Sequence, residues 1–245
     1  MKIRAAVLES MGAAHPYATS RPLKIDELDL APPGPDEILV RIAAAGLCHS
    51  DLSVINGDRP RPMPMAIGHE AAGVVEQLGD GVRDLEVGDH VVLVFVPSCG
   101  HCHPCAEGRP ALCEPGAAAN GIGALLNGSR RLTRNGEVVN HHLGCSAFAT
   151  HAVVSRRSAI KIDRELPLEE AALFGCAVLT GVGAVVNTAQ VRAGTTVAVV
   201  GLGGVGLASV LGAVAAGARQ VVAVDLADDK LAMAQKLGAT HTFNA

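Results

Sequence analysis

Aromatic side chains are almost missing from this sequence: one tyrosine, four phenylalanines and no tryptophan among 245 residues. A core must therefore come from Val, Leu, Ile and Ala, and the stacking platforms that hold single-stranded nucleic acid are not available. Clustered basic residues are missing too. The net charge is −4 and the pI is near 6.2, so nothing marks an electrostatic footprint for nucleic acid. A secretory leader is not apparent, because the apolar run in MKIRAAVLESMG stops at Glu9; the expected location is the cytoplasm. One stretch, residues 197–218, is uncharged for 22 residues and long enough to span a bilayer. Its six glycines read instead as a tight turn between strand and helix, and no membrane partner is expected.

What is plentiful is aliphatic and turn-forming. Hydrophobic residues make up 49% and charged ones 18%, with 28 glycines and 13 prolines, the composition of a globular chain of one or two domains. From Ile3 to about Ser155, short apolar runs at 38–45, 71–77, 90–96 and 148–154 alternate with Gly and Pro turns. That pattern predicts a β-rich barrel or sandwich with no helical stripe of any length. After Pro167 the patterning changes. L-E-E-A-A-L-F-G opens a helical stretch with acidic residues near its start. Strands are then predicted at 195–200, 220–224 and 240–244, with helices at 204–217 and 227–237 between them. This βαβαβ order implies a parallel sheet, so the fold class is α/β plus β.

The turn after the first of those strands is G-L-G-G-V-G, which places Gly201, Gly203 and Gly206 in a G-x-G-x-x-G pattern, with Gly204 and Val205 inside it. Such a turn lets the backbone approach a pyrophosphate at a helix N-terminus. Asp225 ends the next strand, 19 residues past Gly206, where a carboxylate accepts hydrogen bonds from an adenosine ribose. A 2′-phosphate would meet a like charge there, so NAD is favoured over NADP.

Seven cysteines are present, and Cys99, Cys102, Cys105 and Cys113 crowd into fifteen residues as C-x2-C-x2-C-x7-C. Four thiolates suit a closed tetrahedral zinc site, hence a structural one. No pair of histidines follows at zinc-finger spacing, and His101 and His103 read as exposed loop residues. Cys48, His69 and Cys176 are far apart in sequence. Beside a nicotinamide site, though, two thiolates and an imidazole are the set used for catalytic zinc in an alcohol dehydrogenase, leaving a fourth position open.

In order and spacing, A-G-L-C-H-S-D, I-G-H-E-A-A-G, V-G-D-H-V, the four-cysteine loop, G-C-A-V-L-T-G and V-A-V-V-G-L-G-G-V-G followed by V-A-V-D run through the whole chain. Together they resemble the zinc-dependent, medium-chain alcohol dehydrogenases. Residues 120–148 further resemble the longer, dimeric branch that includes liver-type and glutathione-dependent formaldehyde dehydrogenases. The resemblance implies a GroES-like β-barrel catalytic domain over 1–177 and half of an NAD-binding Rossmann domain over 178–245. It implies two zincs per chain, one catalytic on Cys48, His69 and Cys176, and hydride transfer between an alcohol or aldehyde and NAD. Glu70 then stands behind the metal as an alternate ligand, and Asp51 holds the His69 ring. Ser50 bonds the substrate oxygen and starts the proton relay, while Phe95 and Leu143 line the alcohol pocket. Thr180 and Val205 face the nicotinamide, His49 approaches the pyrophosphate, and Lys230 reaches the ribose beside Asp225. Cys145 has no role in that scheme. Ser53 stands where the liver-type pattern ends its relay in histidine, so the proton must leave by another route.

Two rival readings follow. A zinc-free quinone or enoyl reductase of the same superfamily would lack the ligand set. A zinc-stapled, non-catalytic scaffold is favoured by length, since a doubly wound domain needs six strands and three are present. The expectation is a shortened form of a longer enzyme, a homodimer when complete, with little turnover as it stands.

Overall fold

The computed structural model describes all residues from Met1 to Ala245. The chain divides into two compact units, Met1–Gly175 and Cys176–Ala245, with the division two residues before the boundary expected from sequence.

In the first unit, strands Lys2–Leu8, Leu23–Leu30, Leu132–Arg134, Glu137–His141 and Met65–Ala66 close a small barrel. A five-stranded antiparallel sheet runs in the order Ala159–Lys161, His90–Leu93, Glu70–Leu78, Glu37–Gly46 and His151–Ser155. The β-rich expectation thus resolves into a closed barrel plus a sheet. As the composition requires, the largest fully buried side chains are aliphatic, among them Leu28, Leu30, Ile38, Ile67, Leu93 and Leu125. Each such burial contributes roughly 1.5–3 kcal/mol. The absence of helices was overstated. His49–Ile55 and Glu114–Gly121 are helical, but two-turn helices that carry polar residues leave no apolar stripe to read.

One buried carboxylate joins the barrel to the sheet. Glu37, at the start of its sheet strand and 1% exposed, accepts from Arg131 Nε at 2.7 Å, Ser129 Oγ at 2.6 Å, Asn127 Nδ2 at 2.9 Å and the Gly34 amide at 2.8 Å. Burial works against its charge, yet those donors outweigh burial and hold the carboxyl below its ordinary pKa. On the barrel side, the Arg131 amide donates to Nε2 of the buried His141 at 3.0 Å.

In the second unit, strands Thr196–Val200, Gln220–Asp225 and His241–Asn244 form a parallel sheet in that order, with helices Gly204–Ala215 and Asp228–Lys236 between them. The predicted βαβαβ elements are all present, and residues 197–218 are strand, turn and helix rather than one span. A different stretch, Leu168–Thr188, is helical, long and apolar enough to cross a membrane, with 33% of it buried. Several of its residues leave the α-helical repeat for wider π-type turns.

Burial pushes the His141 pKa down to about 4, with the Arg130 and Arg131 charges adding to the effect against Glu37. A histidine lowered on folding contributes stability that is complete above its unfolded pKa near 6.5 and is lost as pH falls toward 4. The contribution is roughly 3 kcal/mol. We predict that the urea midpoint of unfolding falls between pH 6.5 and 4, with a shallower fall in His141→Gln.

Candidate metal centres and nucleotide turn

The helix His49–Ile55 begins directly after Cys48. Its third residue, Asp51, turns back so that Oδ2 accepts from the Cys48 amide at 3.2 Å, while the Cys48 side chain caps the helix in return. The other oxygen of Asp51 meets His69 Nδ1 at 2.9 Å. One carboxylate, 3% exposed, therefore fixes both the cysteine and the histidine. His69 stands immediately before the sheet strand Glu70–Leu78. Gly175 packs so closely on the strand His90–Leu93 that a Cβ there would come within 2.0 Å of the Leu93 carbonyl oxygen.

Burial alone would push the His69 imidazole down, but Asp51 and the Cys48 sulfur outweigh it and hold the pKa at about 9. A metal arriving here displaces a proton. With Nδ1–H donated to Asp51, Nε2 is the nitrogen left to coordinate. A thiol sulfur and an imidazole nitrogen held by one carboxylate are donors suited to zinc. Phe95 stands edge-on to His69, ring centroids 5.5 Å apart, and Leu143 follows the buried His142 in a left-handed conformation. Glu70 lies outside the cluster, buried with its carboxyl group against Gly46. Ser50 is the second residue of the helix, and His49, the first, is exposed. Ser53 donates its hydroxyl to the His49 carbonyl at 3.1 Å.

The four-cysteine loop also converges. Cys102 Sγ is 3.4 Å from Cys105 Sγ and 3.9 Å from Cys113 Sγ. No disulfide forms among the seven cysteines, and these separations suit the edge of a tetrahedron with 2.3 Å zinc–sulfur bonds, about 3.8 Å. Backbone amides point at the sulfurs: Cys99 N to Cys113 at 3.1 Å and Cys102 N to Cys99 at 3.3 Å. Backbone donors from His101 and Cys102 pull Cys99 down to about 6, whereas burial and the neighbouring sulfurs raise Cys105. Four thiols this close cannot all ionise without a cation among them. His101 turns to the Cys99 carbonyl and His103 is exposed beside Glu107, so neither joins the four sulfurs. Cys145 is a buried thiol packed under the Val94 carbonyl.

In the second unit, Gly201 has φ +88° and Gly206 packs on its carbonyl, where a Cβ would approach to 1.8 Å; this is the tight turn the glycine pattern calls for. Gly203 caps the helix that starts at Gly204. Val205 is exposed and its carbonyl packs on Gly181, which brings it beside the exposed Thr180. Asp225 closes the turn, accepting from Leu202 N at 2.7 Å and Ala227 N at 3.0 Å, with Lys230 Nζ at 3.9 Å. Those two amides hold its carboxyl below the usual range, and a carboxylate has further lone pairs for a ribose.

Two residues near the first site escaped the sequence reading. His142 Nδ1 stands 3.3 Å from the Asp51 oxygen that His69 uses, and its ring packs edge-on against His69 at 5.6 Å. Burial lowers it to about 4. Arg59 reaches Ser50 Oγ at 3.5 Å. No spacing rule links such residues to Cys48; only the fold brings them there.

A cleft of about 1090 Å³ lies beside the four-cysteine loop. Among the charged groups that line it, Asp84 pairs with Arg156 and Glu37 with Arg131.

Residues 34–164 match the family model of the alcohol dehydrogenase GroES-like domain, and residues 204–245 that of the zinc-binding dehydrogenase. The chain belongs to the alcohol dehydrogenase GroES-like domain family. It is 42% identical over its full length to an S-(hydroxymethyl)glutathione dehydrogenase from Synechocystis sp., of which it covers 64%. Among solved structures, an alcohol dehydrogenase zinc-binding domain protein from Burkholderia ambifaria superposes with TM-score 0.91 at 41% identity, covering 100% of this chain and 64% of that one. Benzyl alcohol dehydrogenase from Acinetobacter calcoaceticus does so with TM-score 0.88 at 36% identity, covering 99% and 63%. Cofactor-bound neighbours are a zinc-binding dehydrogenase from Sinorhizobium meliloti with NADP (30%, TM-score 0.76, covering 100% and 62%) and an acetophenone reductase from Geotrichum candidum with NAD (26%, TM-score 0.79, covering 100% and 64%). The chain thus spans just under two thirds of the length of the relatives it matches.

If Asp51 fixes both ligands, Asp51→Ala lowers the zinc affinity of the Cys48 cluster by about 10- to 100-fold, the usual cost of losing such support. Chelator competition on the folded variant measures it, with the four-cysteine site as internal reference.

Proposed function

We propose that this chain carries the zinc-bearing region and the first half of the nucleotide-binding region of an NAD-dependent alcohol dehydrogenase. The reaction interconverts a primary or secondary alcohol and its aldehyde or ketone. The observation that carries the reading is one buried carboxylate, Asp51, holding both Cys48 and His69.

Both donor sets fit zinc: Cys48, His69 and Cys176 would hold the catalytic ion, and Cys99, Cys102, Cys105 and Cys113 the structural one. When bound, the first supplies Lewis-acid polarisation of the substrate oxygen, and NAD supplies the hydride acceptor. The chain's own residues do the rest. Asp51 keeps His69 Nδ1 protonated and the ring oriented. Ser50 Oγ receives the alcohol proton at the start of the relay. Ser53 cannot end that relay, because a hydroxyl has no suitable pKa and this one is given to the His49 carbonyl. Phe95 and Leu143 shield the reacting carbon from water. Gly201, Gly203, Gly204 and Gly206 leave room for the pyrophosphate, approached by His49, with Thr180 and Val205 toward the nicotinamide. Asp225 and Lys230 take the adenosine ribose, and the carboxylate favours NAD over NADP.

Seven cysteines without a disulfide suit a reducing cytoplasm. The homodimer is carried over from the branch that residues 120–148 resemble.

Metal analysis tests the proposal. The purified 245-residue chain is expected to hold two zincs. Cys48→Ser and Cys105→Ser should each retain one, and only Cys48→Ser should abolish the cobalt charge-transfer band of a substituted, open site. One zinc in the wild type, unaffected by Cys48→Ser, would sink the reading.

A further inference from the structure

The loop after the helix His49–Ile55 reads N-G-D-R-P-R-P-M-P, and its two arginines are not in ion pairs: no carboxylate lies within 4.0 Å of either guanidinium. The nearby acids are engaged elsewhere. Asn56 Nδ2 donates to Asp58 at 2.8 Å, and Asp51 is taken by Cys48 N and His69. The loop is well held, with Arg59 N bonded to the Ser53 carbonyl at 2.8 Å and the Gly57 amide to Val54 O at 3.2 Å. Pro60, Pro62 and Pro64 restrict the backbone on both sides of Arg61. On this fixed segment Arg59 extends Nη1 to 3.5 Å from Ser50 Oγ. Arg61 has its Nε buried with no hydrogen-bond partner. Its positive charge is felt at His142, whose ring rests against the ligand His69.

A buried guanidinium nitrogen without a partner is costly, and so is a cation in a partly desolvated place without a counter-ion. Arg61 bears that cost, and the exposed Arg59 stands on the same stiff loop beside the Ser50 hydroxyl; the pair is therefore matched by a charge the substrate brings. We infer that Arg59 and Arg61 select alcohols that carry an anionic oxyacid group, a carboxylate or a phosphate, which the guanidinium fork binds in paired hydrogen bonds. The inference rests on the alcohol dehydrogenase reading and deepens it by naming the substrate class. In binding, no bond is made or broken; the anion replaces water at the two guanidinium groups while the alcohol end reaches Ser50.

The test uses the whole 245-residue chain with cobalt(II) in place of zinc, following the visible spectrum of the metal on titration with three probes of one shape. These are 4-(hydroxymethyl)benzamide, 4-(hydroxymethyl)benzoate and 4-(hydroxymethyl)phenyl phosphate. One or both anions should bind about 10- to 100-fold more tightly than the amide, the gain a charge-assisted hydrogen bond supplies, and the better anion identifies the oxyacid. The ratio should fall toward one in Arg59→Leu/Arg61→Leu, whose metal content reports that it has folded. It should also shrink as salt rises, since Arg59 is exposed and Arg61 only partly buried. Equal affinity for all three probes overturns the inference while leaving the alcohol site standing, as does a preference that survives in the double variant. A spectrum that no probe perturbs overturns the alcohol-site reading itself, and the inference with it.

Discussion

The geometry of the metal site depends on how one buried carboxylate divides its two oxygens. Asp51 gives Oδ2 to the Cys48 amide and Oδ1 to His69 Nδ1, so the start of a helix and a residue at the head of a sheet strand are held to a common point. Burying a carboxylate is expensive unless its lone pairs are used, and here both oxygens are. The same contact sets the histidine tautomer, which decides the nitrogen that faces the metal. Removing the carboxylate would therefore release position, orientation and tautomer together.

The two sulfur-bearing sites solve the charge problem in different ways. The four-cysteine loop concentrates thiols within 3.4–3.9 Å and spreads backbone amides over them, which is enough to favour ionisation at Cys99 but not at Cys105. Its order is thus tied to a cation. At the Cys48 site, Asp51 holds the cysteine amide and His69, with His142 beside the same carboxylate. A closed four-thiolate cage suits a structural role, and an open three-ligand set leaves room for a reacting oxygen.

Much of this was legible from the residues because it is local. The glycine turn at 201–206, the strand and helix alternation after it and the four-cysteine spacing each lie within a few dozen residues, where periodicity and spacing carry information. The Cys48, His69 and Cys176 set was read only through resemblance, since its members are far apart in sequence. Arg59 beside Ser50 and His142 beside Asp51 were not legible: they are made by the path of two loops, and a lone Arg or His has no spacing signature. The short helices at 49–55 and 114–121 were missed for a related reason, as they are fixed by caps and tertiary contacts rather than by an apolar face.

Glu37 has a consequence for how the first unit comes apart. Its strand belongs to the five-stranded sheet, whereas Arg131, Ser129 and Asn127 lead into the barrel strand Leu132–Arg134. Opening the barrel alone would strand a buried anion in the sheet, and opening the sheet alone would strand its donors. Neither half therefore has a cheap partially unfolded form. Slowly exchanging amides on both sides of the carboxylate should share one opening free energy, so that barrel and sheet behave as a single cooperative block.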